Sequence, residues 1–299
     1  MKKIVIIGAN SYLARNLICM INAQKNKYQL KLYGKTEQHV DGEDNYTCVD
    51  VLDKESVKTI DLDCDIVYFF VGKTGSANAF QEYDMFIDVN EKALLNVMTE
   101  YVAQKSKAKF VFPSTRLVYR GDEGSLKEED EKAYKSIYAI NKHACEMYVQ
   151  LYHEIFDLQY IIFRICVPYG TLVPNAISYG TMEFMLNNAK AGKDISIYGD
   201  GKIRRTLTYI GDLCKAMLDG ALHPSCINEI YNIGGEEYNL GELATMVAEK
   251  YAVGVNYVPW PNMAKKMESG GTVFDSSKLD EIISYKSTCL KEWVKGEKI

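Results

Sequence analysis

The sequence predicts an α/β protein with a doubly wound parallel sheet and a smaller, interleaved α+β lobe. Two observations carry this. Through the first half of the 299 residues, short continuous apolar runs alternate with longer segments of helical period, as expected of strands buried on both faces by crossover helices. After Arg164 the rhythm breaks into shorter elements separated by turn clusters at Pro168-Tyr169-Gly170, Gly199-Asp200-Gly201 and Gly234-Gly235. One large sheet is therefore expected first, then a lobe interleaved with returns to it.

Taken in order, Ile4–Ile7 reads as a buried strand and Leu13–Gln24 as the helix that follows. Leu30–Tyr33 and Tyr46–Val49 read as strands, with Ser56–Ile60 in a short helix. Ile66–Val71 is another apolar run, and Tyr83–Lys105 a long helical pattern. Lys109–Phe112, the helix Tyr138–Phe156 and the strand Tyr160–Arg164 complete the first half.

Bulk properties exclude some partners. Net charge is −5, the sequence pI is about 5.6, and there is no long basic run. Nucleic acid and anionic membranes both require clustered cations, so neither is expected. The eight cysteines are scattered singly, without a metal-ligand pair, and read as reduced, packed thiols with no metal. Met1-Lys2-Lys3 is followed by only four apolar residues before Gly8, too short for a signal-peptide core, so the cytoplasm is the expected address.

The first strand runs into Gly8-Ala9-Asn10-Ser11-Tyr12-Leu13. Small residues at such a strand–helix junction let backbone N–H groups approach a pyrophosphate at the helix N-terminus, as in Rossmann-type dinucleotide binding. Only Gly8 remains of the usual three glycines; Ser11 and Ala14 take the other places. At the tip of the second strand, Gly34 and Lys35 stand where an NAD-preferring site carries Asp or Glu. A cation there suits a 2′-phosphate, so the cofactor reads as NADP or NAD, with a lean to NADP. Asp50, followed by Val51, would accept a hydrogen bond from the adenine amino group, or else cap the next helix. Residues 1–165 are thus expected to bind the dinucleotide, with returns near 205–233. Residues 166–204 and 234–299 would form the substrate lobe.

The chemistry resides in two further pieces. The run Phe110-Val111-Phe112-Pro113-Ser114-Thr115 ends a strand in hydroxyl residues, and Tyr138 and Lys142 lie at i and i+4 on one helix face. A free phenol titrates near about 10. A neighbouring ammonium and a bound nicotinamide cation both favour the phenolate, while Thr115 holds the substrate oxygen in line. Lys142 would also bond the nicotinamide ribose. Together these residues point to hydride transfer between a nicotinamide dinucleotide and an alcohol or ketone carbon.

Over nearly its whole length the chain resembles the extended short-chain dehydrogenase/reductases, the NAD-dependent epimerase/dehydratase group. Ser114-Thr115-x-x-Val118-Tyr119 is similar to the family's Ser-Ser-x-x-Val-Tyr-Gly, with Arg120 at the Gly. Tyr138-x-x-x-Lys142-x-x-x-Glu146 resembles its catalytic helix, and Asp88-Val89-Asn90 the start of its long interface helix. Asp50-Val51 is similar to its adenine contact and Phe70-Val71-Gly72 to the strand end that passes the cofactor. Arg164 through Gly170 resembles the sixth-strand exit, which brings Val167 and Pro168 to the site. Gly199-Asp200-Gly201 through Asp212 is similar to the segment whose arginine, here Arg205, clamps a substrate diphosphate.

The resemblance implies catalytic Thr115, Tyr138 and Lys142. It implies cofactor contacts at Gly8, Asn10, Ser11, Tyr12, Leu13, Lys35, Asp50, Val51, Phe70, Val71, Lys142 and Pro168. Substrate contacts would come from Ser114, Thr115, Val167 and Arg205, and the substrate would be a nucleotide sugar bound by a homodimer. Three positions depart from the pattern. Val167 replaces a common Asn, Thr206 replaces an Asp, and Arg116-Leu117 replace the Asp-Glu pair that a 4,6-dehydratase needs for water elimination. Dehydration is thereby rejected. A 4-epimerase, a 4-keto-sugar reductase and a non-catalytic cofactor-binding sensor or scaffold remain.

Overall fold

The computed structural model describes residues 1–24, 27–75, 78–121, 124–176, 178, 180–285 and 287–296. Seven strands form its principal sheet: β1 (Lys2–Ile7), β2 (Tyr28–Gly34), β3 (Tyr46–Cys48), β4 (Ile66–Phe69), β5 (Lys109–Thr115), β6 (Tyr160–Ile165) and β7 (Glu229–Asn232). All run parallel, in the spatial order β3-β2-β1-β4-β5-β6-β7. The order reverses between β1 and β4, which opens a crevice beyond the carboxyl ends of the strands.

Helices cover both faces because the strands are apolar on both. On one face α1 (Tyr12–Asn22) sets Leu17, Ile18 and Ile21 against Ile4, Ile6 and Leu32. On the other, α2 (Ala93–Ala103) and α3 (Ile137–Phe156) bury Leu94, Val97, Cys145 and Val149 against Val5, Val67 and Phe112. The helix α4 (Ile210–Leu222) returns to the first face, adding Leu213 and Met217 to that core. Side-chain caps fix the two helix starts that matter for the site. Ser11 Oγ accepts from Ala14 N, and Ser136 Oγ accepts from Ala139 N.

Two local departures from the expected elements have physical causes. The Tyr83–Lys105 pattern is not one α-helix. A π-helical turn, Asp88–Lys92, separates Tyr83–Ile87 from α2, and an apolar period does not reveal so small a change of winding. The turn holds Asn90 inward, where Oδ1 accepts from Lys73 N at 2.8 Å and Nδ2 donates to Lys73 O at 3.2 Å. It thereby fixes the chain leaving β4. Second, β5 continues through Pro113 to Thr115, although a proline inside a central strand removes a ladder donor. Pairing with β4 stops at Val111, while pairing with β6 continues to Thr115. Pro113 therefore stands where only one neighbour remains.

The second lobe is a three-stranded sheet ordered Glu236–Asn239, Arg204–Tyr209, Val167–Tyr169, beside a parallel pair of Ile195–Tyr198 and Val255–Val258. Helices Thr181–Lys190 and Leu240–Tyr251 close its core through Met182, Leu186, Leu243 and Val247. Arg204–Tyr209 thus pairs within this lobe, and the chain rejoins the large sheet only from Ile210 onward.

Candidate active site

The crevice above β1 encloses about 820 Å³, part of it open to solvent. Its floor is Gly8, with φ +84. A Cβ there would lie 2.7 Å from both Phe70 C and Val71 N, so only glycine permits the β1 and β4 exits to approach this closely. Gly8 N and Ala9 N donate to Tyr33 O, at 2.8 and 3.0 Å. The loop is therefore pinned to β2, with the N-terminus of α1 beside the crevice. A helix start with unpaired N–H groups and no bulk beneath it fits a dinucleotide pyrophosphate.

At the adenosine end, Gly34 packs against Tyr46. A Cβ at this position would meet Tyr46 Oη at 2.8 Å, so a carboxylate side chain at the strand tip would require the Tyr46 ring to move. Tyr46 Oη donates instead to Thr36 O at 2.8 Å, and Asn10 Nδ2 donates to Thr36 Oγ1 at 2.6 Å. Lys35 Nζ pairs with Asp50 Oδ2 at 2.9 Å; the lysine side chain is 74% exposed and the aspartate 38%. This ion pair, with the Leu52 N–H on Oδ1, lowers the Asp50 pKa. The cap of the helix that follows is Asp53, whose carboxylate accepts from Glu55 N. Asp50 does not serve as that cap.

Of the cofactor candidates, Gly8, Asn10, Ser11, Lys35, Asp50, Val51, Phe70 and Val71 line this crevice together. Others lie apart from its lining. Tyr12 Oη donates to Gly170 O at 2.6 Å, tying α1 to the second lobe, and Leu13 packs on the core under α1. Pro168 O accepts from Ser178 Oγ. Val167, named above as a substrate contact, is buried in its strand opposite Leu207.

At the other end, the strand β5 and the helix α3 bring the hydroxyl, phenol and ammonium together. Thr115 ends β5, and its Oγ1 accepts from Leu117 N at 3.3 Å, starting a 3-10 turn. Tyr138 lies close enough to the Thr115 hydroxyl for that group to favour its phenolate. Burial pushes the Tyr138 phenol up to about 12, while the Thr115 hydroxyl and the charge of Arg116 pull it down. Lys142 is buried, with Nζ 4.1 Å from the Phe112 ring centroid. Burial lowers its pKa to about 8, against the raising pull of Cys145 and Glu146. In this state the charge that favours the Tyr138 phenolate is that of Arg116, whereas the sequence reading expected Lys142. The distinction was not visible from i, i+4 spacing, because the ammonium turns over Phe112.

Beneath these groups is a closed ionic network. Glu146, one turn beyond Lys142, receives Arg164 Nε at 3.0 Å and Nη2 at 2.7 Å. Arg164 Nη1 also donates to Tyr119 Oη and to Glu128 O, and Tyr119 Oη donates to Asn232 Oδ1. Burial raises the Glu146 pKa, but Arg164 and His143 outweigh it and bring the carboxyl to about 2. Ser114 is buried close enough to favour that carboxylate, yet its Oγ has no partner at ordinary hydrogen-bond geometry.

On the second lobe, Arg205 is buried, with Nη2 2.6 Å from Glu268 Oε1 and Nη1 donating to Gly270 O. The clamp residue expected from the sequence thus already holds a carboxylate. Arg116 reaches the same loop, Nη1 to Ser269 Oγ at 3.1 Å. Sequence reasoning used Arg116 only to reject dehydration. Its signal as a site residue was its place immediately after Thr115.

Residues 4–234 match the NAD dependent epimerase/dehydratase family. An uncharacterised protein of Methanocaldococcus jannaschii is 26% identical over 279 residues, 89% of this chain and 82% of that one. A UDP-N-acetyl-alpha-D-glucosaminuronate decarboxylase of Bacillus cytotoxicus is 27% identical over 212 residues, 68% of this chain and 65% of that one. The crystal structure of the Thermus thermophilus UDP-glucose 4-epimerase in complex with NAD superposes with a TM-score of 0.82. It is 19% identical, over 98% of this chain and 96% of that one.

Proposed function

Because the chain belongs to the NAD-dependent epimerase/dehydratase family, we propose that it is an NAD(P)-dependent enzyme acting at C4 of a nucleotide-diphosphate sugar. It works either as a 4-epimerase or as a 4-keto-sugar reductase. The observation that carries this reading is the convergence of the Thr115 hydroxyl on the Tyr138 phenol, with Lys142 one turn further along the same helix.

When bound, the nicotinamide supplies the hydride acceptor and donor, and its oxidised form adds positive charge to the site. Tyr138 takes the proton from the C4 hydroxyl as that carbon is oxidised, and returns a proton when the ketone is reduced. Thr115 orients the oxygen along that path. Lys142, its pKa lowered to about 8 by burial, gains a partner in the ribose hydroxyls and holds the cofactor against α3. Dehydration has no support, because Arg116 and Leu117 offer neither the acid nor the base that C5–C6 elimination needs.

For the cofactor, Gly34 leaves the strand tip without the carboxylate that would repel a 2′-phosphate, and Lys35 can turn from Asp50 toward one. This supports NADP. An observation also favours a homodimer. Ile140, Met147, Leu151 and Ile155 form an exposed apolar stripe at helical spacing on α3, with exposed Met85 and Ile87 on the segment before the π turn. Paired helices carrying such a stripe suit a self-complementary two-fold interface.

Releasing the nucleotide from purified protein separates the two enzyme readings. Stoichiometric NAD(H) carried through purification supports the epimerase. Empty protein that consumes NADPH with a 4-keto nucleotide sugar supports the reductase. Protein that does neither and converts no nucleotide sugar would leave the non-catalytic sensor.

A further inference from the structure

We propose that Arg116 recognises a carboxylate on the sugar ring of the substrate, so that the enzyme acts on an acidic nucleotide sugar; this rests on the nucleotide-sugar reading above. The chain contains six arginines. Five hold a carboxylate: Arg15 pairs with Asp41, Arg120 with Glu131, Arg164 with Glu146, Arg204 with Glu237 and Arg205 with Glu268. Among the described residues, Arg116 alone holds none. Among the described residues its guanidinium makes one side-chain hydrogen bond, to Ser269 Oγ, although the group carries five N–H donors. A half-buried cation left this way is costly unless a ligand answers it.

Its surroundings add to the deficit. The loop Glu268–Gly270 is held from several sides: Gly121 N donates to Ser269 O at 2.9 Å, Lys135 Nζ to Glu268 O at 2.7 Å, and Arg205 to Gly270 O. Arg116 and Arg205 therefore converge on one rigid loop that offers a single carboxylate, already bound to Arg205. Burial and the Arg205 cation lower the Arg116 pKa to about 10. It is still charged at neutral pH, and an added anion would relieve both effects.

The place in the chain assigns that anion to the sugar. Arg116 directly follows Thr115, whose hydroxyl lies by Tyr138, so it stands at the end where the reacting C4 oxygen is handled. Substituents of the ring, and not the diphosphate, come first within its reach. A planar carboxylate matches the guanidinium fork through two parallel bonds.

The test compares UDP-glucuronic acid, UDP-glucose and UDP by titration calorimetry on cofactor-loaded protein. UDP-glucuronic acid is expected to bind about tenfold or more tightly than UDP-glucose, the effect of one charge-assisted bidentate contact. Arg116→Gln should shrink that preference to less than about threefold, and Arg116→Lys should keep part of it. Equal binding of the two sugars to the unaltered protein overturns the proposal and leaves the nucleotide-sugar reading intact. Arg116→Gln weakening UDP and both sugars alike also overturns it, since the guanidinium would then face the diphosphate. If none of the three binds, both readings fall. Should the Gln variant not fold, the ratio in the unaltered protein and the Lys variant decide.

Discussion

Arg164 and Arg116 lie close in the fold and are treated in opposite ways. Arg164 spends four hydrogen bonds on Glu146, Tyr119 and Glu128 and is sealed from solvent. Arg116, at the end of the neighbouring strand, spends one. A buried guanidinium whose charge is answered holds the scaffold, whereas one left half-buried beside Thr115 with a single partner is, on the proposal above, kept for a ligand. The same contrast separates Glu146, held ionised in the network, from Tyr138 and Lys142, whose pKa values burial has moved toward their neutral forms. Scaffold groups have their charges answered by the protein, and reacting groups do not.

The largest expected effect tests the reacting side. Tyr138→Phe should lower kcat by about a thousandfold or more, while fluorescence titration of the cofactor changes by less than about threefold. A variant that retains activity would mean the phenol is not the proton carrier. On the scaffold side, Arg164→Met strands the Glu146 charge and should cost about 3–5 kcal/mol in denaturant unfolding. Arg164→Met combined with Glu146→Leu should recover much of that loss, and no recovery would show that the pair is not acting as a unit.

A subtler test uses pH. The Glu146 carboxyl titrates near 2 in the folded protein, below its ordinary value of about 4.3. Its contribution is therefore fully present above the ordinary value and is lost as pH falls toward 2. Glu146→Gln should flatten the acid limb of the stability curve in that window, and an unchanged slope would place the acid sensitivity elsewhere. Lys142 gives the same slope in a different window: its folded pKa of about 8 lies below the ordinary lysine value, so between these two values stability rises with pH as the penalty for its buried charge is removed. The smallest effect belongs to the exposed rim. Lys35→Ala should weaken NADPH several-fold and NADH less, the scale of an exposed charge contact, and equal losses would remove the preference for NADP.

Much of the scaffold was legible because its signals are local. The apolar runs at Ile4–Ile7, Ile66–Val71 and Tyr160–Arg164 gave strands of the large sheet, and Gly8 after the first of them marked the phosphate end. The spacing of Tyr138 and Lys142 put them on one helix. The second lobe was less legible because its short strands pair across long stretches of chain, as Arg204–Tyr209 does with Glu236–Asn239.

By itself the sequence determined a doubly wound sheet, the chain order of the site residues and the chemistry those residues permit, since periodicity, glycine placement and side-chain type are written residue by residue. Only the tertiary structure decided which charges are answered. Arg205 meets Glu268 and Arg164 meets Glu146 across 63 and 18 positions of chain, while Arg116 meets no carboxylate among the described residues. Ion pairing over such separations depends on where loops converge, and linear spacing carries no record of that.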